Sequence, residues 1–113
     1  MKLQAVINGE RIEDMDYRFS LLLRATELGC ENFFSCIRLG DGLPQLIARI
    51  EGDEVQISDF KRFVQMHKPD GVDVSVIGFE EFTGHVPSIK TFMSFCIVEL
   101  LDKWVRGIDH PSD

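Results

Sequence analysis

Apolar residues in this 113-residue chain recur with a period of two in some stretches and at helical spacing in others. Leu3 to Ile7 is a short apolar run ending at Asn8-Gly9, which predicts a strand leading into a turn. Asp16 is placed to cap the next segment, where Tyr17, Leu21, Ala25 and Leu28 follow helical spacing and Gly29 supplies a stop. Phe33 to Leu39, rich in aromatic and branched residues, predicts a second strand. Gly40-Asp41-Gly42 is a hairpin signal, and Leu43 to Glu51 forms the returning strand.

Asp53 followed three residues later by Gln56 is a capping-box variant, and Ile57, Phe60 and Val64 give the helix after it an apolar face. Phe63 lies alongside. His67 is expected to cap that helix, and His67-Lys68-Pro69-Asp70-Gly71 to break it. Val72 to Phe82 alternates well enough for a fourth strand, with Gly78 at a bulge. The order β-α-β-β-α-β is that of a ferredoxin-like sandwich, an α+β fold with two helices on one face of an antiparallel sheet.

Gly84-His85-Val86-Pro87-Ser88 then makes a loop and an N-cap, and Ile89 to Arg106 reads as one long helix ended by Gly107. Its apolar stripe is wide for a surface helix and must be buried against something. Two arrangements remain open. The helix folds back within the chain, over the sheet face that two helices leave bare, or it pairs with a second subunit through Phe92, Met93, Cys96, Leu100 and Trp104. Closed two-fold dimers are the commonest oligomers, so a homodimer through this helix is the expected partner. The expected organisation is a domain over residues 1–83 and a helical extension over residues 84–113.

Composition narrows the function classes. The apolar fraction of 44 % supports a real core in one compact domain. A net charge of −7 argues against a nucleic-acid or anionic-membrane surface, because phosphates are bound through Lys and Arg. No apolar stretch reaches the roughly 18 residues of a spanning helix. Three cysteines with no C-x-x-C pair and no secretory leader fit a reducing cytosol, with Cys36 and Cys96 as buried thiols among apolar neighbours. His67, His85 and His110 are too widely separated for a zinc site. Glu10, Glu13, Asp14 and Asp16 lack calcium-loop spacing and are expected as a solvated helix entry. Neither a metal nor a cofactor is expected. His85, in a loop between Gly84 and Pro87, is a minor candidate for ligand contact.

The stretch Arg11-Ile12-Glu13-Asp14-Met15-Asp16-Tyr17-Arg18 sits where the first strand hands over to the first helix. It aligns without a gap to the R-V-Q-G-V-x-F-R part of the signature that opens acylphosphatase domains, and the chain resembles that family. Asp41-Gly42 matches the family's hairpin, Ile50-Glu51-Gly52-Asp53-Glu54 is similar to its A-E-G-x-E turn, and Val72 to Phe82 resembles its last strand. The resemblance spans roughly residues 2 to 83. It implies that the loop amides and Arg18 would hold the phosphate of an acyl phosphate, with Arg11 to Tyr17 as the loop. It also implies an Asn on the second strand to orient water, at the position where this chain has Arg38.

Two departures bear on the chemistry. Asp14 stands where the family has glycine, and its carboxylate at ~4 Å from a phosphate oxygen would oppose binding by about 4 kcal/mol at a dielectric near 20. Arg38 cannot accept a proton from water. The expectation is therefore a non-catalytic binding or assembly module with a degenerate site. The alternative is an acyl-phosphate hydrolase in which Arg18 and Arg38 hold a small phosphorylated ligand.

Overall fold

The computed structural model describes residues 1–67 and 73–109. In chain order the elements are β1 (Lys2–Glu10), α1 (Met15–Glu27), β2 (Asn32–Gly40), β3 (Leu43–Glu51), α2 (Glu54–Met66), β4 (Asp73–Glu81) and α3 (Ile89–Asp109). The strands form one sheet in the order β2-β3-β1-β4, with antiparallel pairing throughout. This is the α+β, ferredoxin-like arrangement that the element order predicts, with the C-terminal helix added.

Strand alternation sorts the side chains onto two faces. Leu3, Ala5 and Ile7 of β1 and Leu46, Ala48 and Ile50 of β3 join Tyr17, Leu21 and Ala25 of α1 and Ile57, Phe60 and Val64 of α2 in one core. Phe33 meets Phe60 edge-on at 6.0 Å, which ties β2 to α2 through that core. Local signals fix the joints. Gly29, at φ +81°, ends α1 in a Schellman arrangement, with the Cys30 N–H donating to the Ala25 carbonyl and the Gly29 N–H to that of Thr26. The β2–β3 hairpin turns through Asp41 and Gly42, both at positive φ, as a two-residue hairpin of this twist requires. Both arms of the Asp53–Gln56 capping box are present. The Gln56 amide also donates to the Leu28 carbonyl, binding the start of α2 to the end of α1.

Several boundaries differ from the sequence expectation. β1 does not stop at Asn8-Gly9 but runs to Glu10, because a central strand has ladder partners on both sides. Asn8 pairs with Gln45 of β3 and Val76 of β4, and Gly9 with Val74. The sheet irregularity lies there, not at Gly78, which pairs regularly with Val6. α1 is capped by Asp14, two residues earlier than expected. Residues 68–71 of the expected break after α2, and Val72, lie outside the described residues, whereas the His67 N–H closes α2 on the Phe63 carbonyl. α3 continues through Gly107 to Asp109; one glycine costs a helix about 1 kcal/mol relative to alanine, too little to end it alone.

Of the two arrangements left open for α3, folding back across the open sheet face is not taken. That face has a network of its own, in which Arg49 lies over Phe34 and Phe82, donates to Gln4, and Gln4 in turn donates to Glu80. The segment before α3 instead pairs with the edge strand. The Phe33 N–H donates to the Pro87 carbonyl, the Ile89 N–H to Glu31, and the Asn32 amide to Val86. These bonds satisfy part of an otherwise open strand edge. Ser88 caps α3 by accepting from the Thr91 N–H. Phe92 then packs edge-on against both Phe33 and Phe34, whose side chains alternate to opposite faces of β2.

Tyr17 is fully buried, and burial pushes its hydroxyl from the ordinary 10 up to about 12. The unfolded chain therefore releases this proton before the folded one does. The Tyr17 contribution to stability should be complete below pH 10 and decline as pH rises towards 12. Because Tyr17 is the only tyrosine, near-ultraviolet absorbance reads its titration directly. A folded-state midpoint near that of free tyrosine would show the ring to be solvated.

Candidate functional site

A cavity of about 480 Å³ opens between the β1–α1 turn, β2 and α3. Glu13, Met15 and Arg18 line it from the turn and α1, Phe34 to Ile37 from β2, and Phe92, Phe95, Cys96 and Glu99 from α3. Its shape begins with the turn. Arg11 adopts a left-handed backbone, φ 58°, and the Asp14 N–H donates back to the Arg11 carbonyl. Ile12 is fully buried and anchors the turn to the core, whereas Arg11, Glu13, Asp14 and Asp16 face solvent. Met15 is half-buried.

The first amides of α1 are the natural anion donors of such a corner. Here they already have an anion. One Asp14 carboxylate oxygen accepts from the Asp16 N–H at 2.8 Å and from the Tyr17 N–H at 3.3 Å. Arg18 is occupied as well. Its guanidinium donates to Glu99 of α3 at 3.2 Å and lies 3.8 Å from the Met15 sulfur. The Arg18 side chain is 12 % exposed and that of Glu99 44 %. The pair therefore sits at the cavity wall, neither fully solvated nor deeply buried. Two polar atoms there have no partner among the described residues, the Arg18 Nε and the hydroxyl of buried Ser35.

Arg38 is placed elsewhere. It donates through Nε to Gln45 at 3.1 Å, is exposed, and does not line the cavity with Arg18. Arg11 borders a separate hollow with Glu10, Glu13, Leu43 and Pro44. His85 is exposed in its loop, and His67 stacks against Phe63 and Tyr17. His110 lies outside the described residues. Of the five expected interface residues, Phe92 and Cys96 pack within the chain's own core, while Met93, Leu100 and Trp104 remain exposed. Cys36 is only half-buried, unlike Cys30 and Cys96, because it projects from β2 into the cavity wall. Burial pushes the Cys30 and Cys96 thiols up; Asp53 adds to the first, and Arg18 opposes the second.

Glu99 is the site residue that sequence reasoning missed. It lies 81 positions from Arg18. The available signal was its spacing, since Phe92, Cys96 and Glu99 fall four and three residues apart on one helix face. An acid that continues the inward-facing edge of an apolar stripe points to a cation across from it, and Arg18 lies there.

Solved structures give the same architecture. The acylphosphatase from Bacillus subtilis superposes with a TM-score of 0.54 at 18 % identity, covering 74 % of this chain and 87 % of that one. An acylphosphatase from Coxiella burnetii gives 0.51 at 20 % identity, covering 74 % and 82 %. The domain is acylphosphatase-like in fold. No family model and no curated protein matches the sequence. At these identities the likeness concerns the fold, and the chemistry of the acylphosphatase-like corner has to be read from the side chains in it.

Because Asp14 supplies the cap, Asp14→Ala should destabilise the protein by about 1 kcal/mol in urea unfolding. Asp16→Ala removes only a first-turn charge and should cost a few tenths of a kcal/mol. Equal losses at the two positions would show that Asp14 is not the cap. In a thiol-reagent time course, Cys36 should react first, with Cys30 and Cys96 accelerating as pH rises towards their raised values.

Proposed function

We propose that this chain is a non-catalytic, cytosolic binding and assembly module on an acylphosphatase-like scaffold, homodimeric through its C-terminal helix. The observation that carries the reading is the occupation of both anion-binding elements from within, with Asp14 on the α1 amides and Glu99 on Arg18. An incoming phosphate would have to displace two carboxylates and then sit in their field. Phosphoryl chemistry depends on positioned donors and charge neutralisation, and here the donors are committed and the added charge has the wrong sign. The position where the family's Asn would orient a water holds Arg38, which bonds to Gln45 and does not line the cavity.

The competing reading is an acyl-phosphate hydrolase, with a small phosphorylated ligand held by Arg18 and Arg38. It draws on the partnerless Arg18 Nε and Ser35 hydroxyl at the cavity. It requires Arg38 to leave Gln45 and reach a cavity that it does not line.

Purified protein should hydrolyse benzoyl phosphate no faster than an Arg18→Ala variant, with both at the uncatalysed rate. Turnover above background that collapses in Arg18→Ala would establish the hydrolase instead. Removing the internal anions should open the corner: Asp14→Gly with Glu99→Gln should bind inorganic phosphate more tightly than wild type in a calorimetric titration. Unchanged affinity would mean that those carboxylates do not block it.

A further inference from the structure

α3 uses little of its apolar surface inside its own chain. Phe92 and Cys96 are buried, but eight large apolar side chains between Met93 and Val105 are 42–74 % exposed. Their summed exposed surface is on the scale of the ~800 Å² that each partner contributes to a standard protein interface. Monomeric proteins rarely leave a contiguous patch of this size in water.

The exposed residues are ordered. Met93, Ile97, Leu100 and Trp104 follow one another at spacings of four, three and four, the seam of a helix that packs on another helix. Three of them form one wall of a groove of about 630 Å³, and the facing wall is α1, through Phe19, Leu22 and Leu23. α1 thus has two apolar faces: Tyr17, Leu21 and Ala25 enter the core, and a second row, including Leu23 at 61 % exposure, faces the groove.

We infer that the groove between α1 and α3 is the seat for α3 of a second copy of this chain. The inference rests on the assembly reading above and names its contact surface. A groove with two helical walls accommodates a third helix, and α3 supplies both a wall and the apolar ridge that would fill it. A two-fold axis then closes both grooves with one set of contacts, as an isologous interface requires. The apolar surface also runs past the groove to Leu101, Trp104 and Val105, so a small ligand seated there would leave most of it wet. A membrane surface fits less well. α3 mixes Glu99 and Asp102 with Lys90, Lys103 and Arg106, and the chain carries −7, whereas interfacial helices are rich in Lys and Arg.

Sedimentation of the full chain should give twice the 12.9 kDa protomer mass, and the sole tryptophan, Trp104, should shift to longer emission wavelength on dilution. Leu23→Glu, on α1 and away from α3, should weaken the dimer by about thirtyfold or more, as should Ile97→Glu. Leu23→Gln gives a milder uncharged variant, and far-ultraviolet circular dichroism checks that each remains folded. A dimer lost in Ile97→Glu but intact in both Leu23 variants would overturn the groove and leave assembly through α3 standing. A wild-type monomer at all concentrations would overturn both. A monomer that co-sediments with phosphatidylcholine–phosphatidylserine vesicles would assign the face to membrane and overturn the inference.

Discussion

The opening N–H groups of a helix have no partner within it, and what satisfies them in α1 sets the character of the corner. Asp14 does so with one carboxylate oxygen shared between the Asp16 and Tyr17 amides. That bond fixes where α1 begins, and therefore which way Tyr17 and Arg18 point. Tyr17 enters the core, and Arg18, one residue on, is directed along the β2 side towards α3. With glycine at position 14 the same amides would be open to any anion; with aspartate the chain brings its own. A single residue thus supports the local fold and closes the anion site by the same contact.

α3 completes that closure from a distance. Its approach is set by backbone bonds along the free edge of β2 and by Phe92, which touches aromatic rings from both faces of that strand. Once Phe92 and Cys96 are seated, helical geometry places Glu99 on the same side, beside Arg18. The ion pair gains little by itself, because Glu99 is nearly half exposed and such pairs contribute below about 1 kcal/mol. Packing brings the helix in; the ion pair decides that the arginine it meets is not free.

Features written in local spacing were legible in the sequence. Asp53 and Gln56 form their capping box, Asp41-Gly42 makes its turn, and β3 has the bounds Leu43–Glu51 that its pattern predicts. The element order was legible in the same way, whereas Arg18 was singled out only by the family resemblance. What was not legible depended on neighbours distant in sequence. Asn8-Gly9 looks like a turn until β1 is known to be a central strand with partners on both sides. Asp16 is the cap that the helical spacing predicts, and the backbone places Asp14 there instead. The wide stripe of α3 announced burial without saying where. The open sheet face, one of the two covers the stripe allowed, is held instead by a network around Arg49 whose members come from all four strands and the segment after β4. Glu99 had no local signature for its partner at all.

These arrangements meet on one helix. Phe92, Cys96 and Glu99 form the edge of α3 that faces its own chain, while Met93, Ile97 and Leu100 are the adjoining row that walls the groove. Adjacent rows on a helix are separated by about 100° of rotation, so α3 cannot roll to bury one without turning the other. The Arg18–Glu99 contact and the orientation of the groove are therefore geometrically linked through Phe92, the residue that fixes the roll. A partner that grips the outer row holds the inner one in register, and the arginine stays paired. Release of the inner row would conversely turn the seam away from the groove. The anion corner and the interface inferred for α3 are thus two readings of the same helix orientation, set where Phe92 meets the edge of β2.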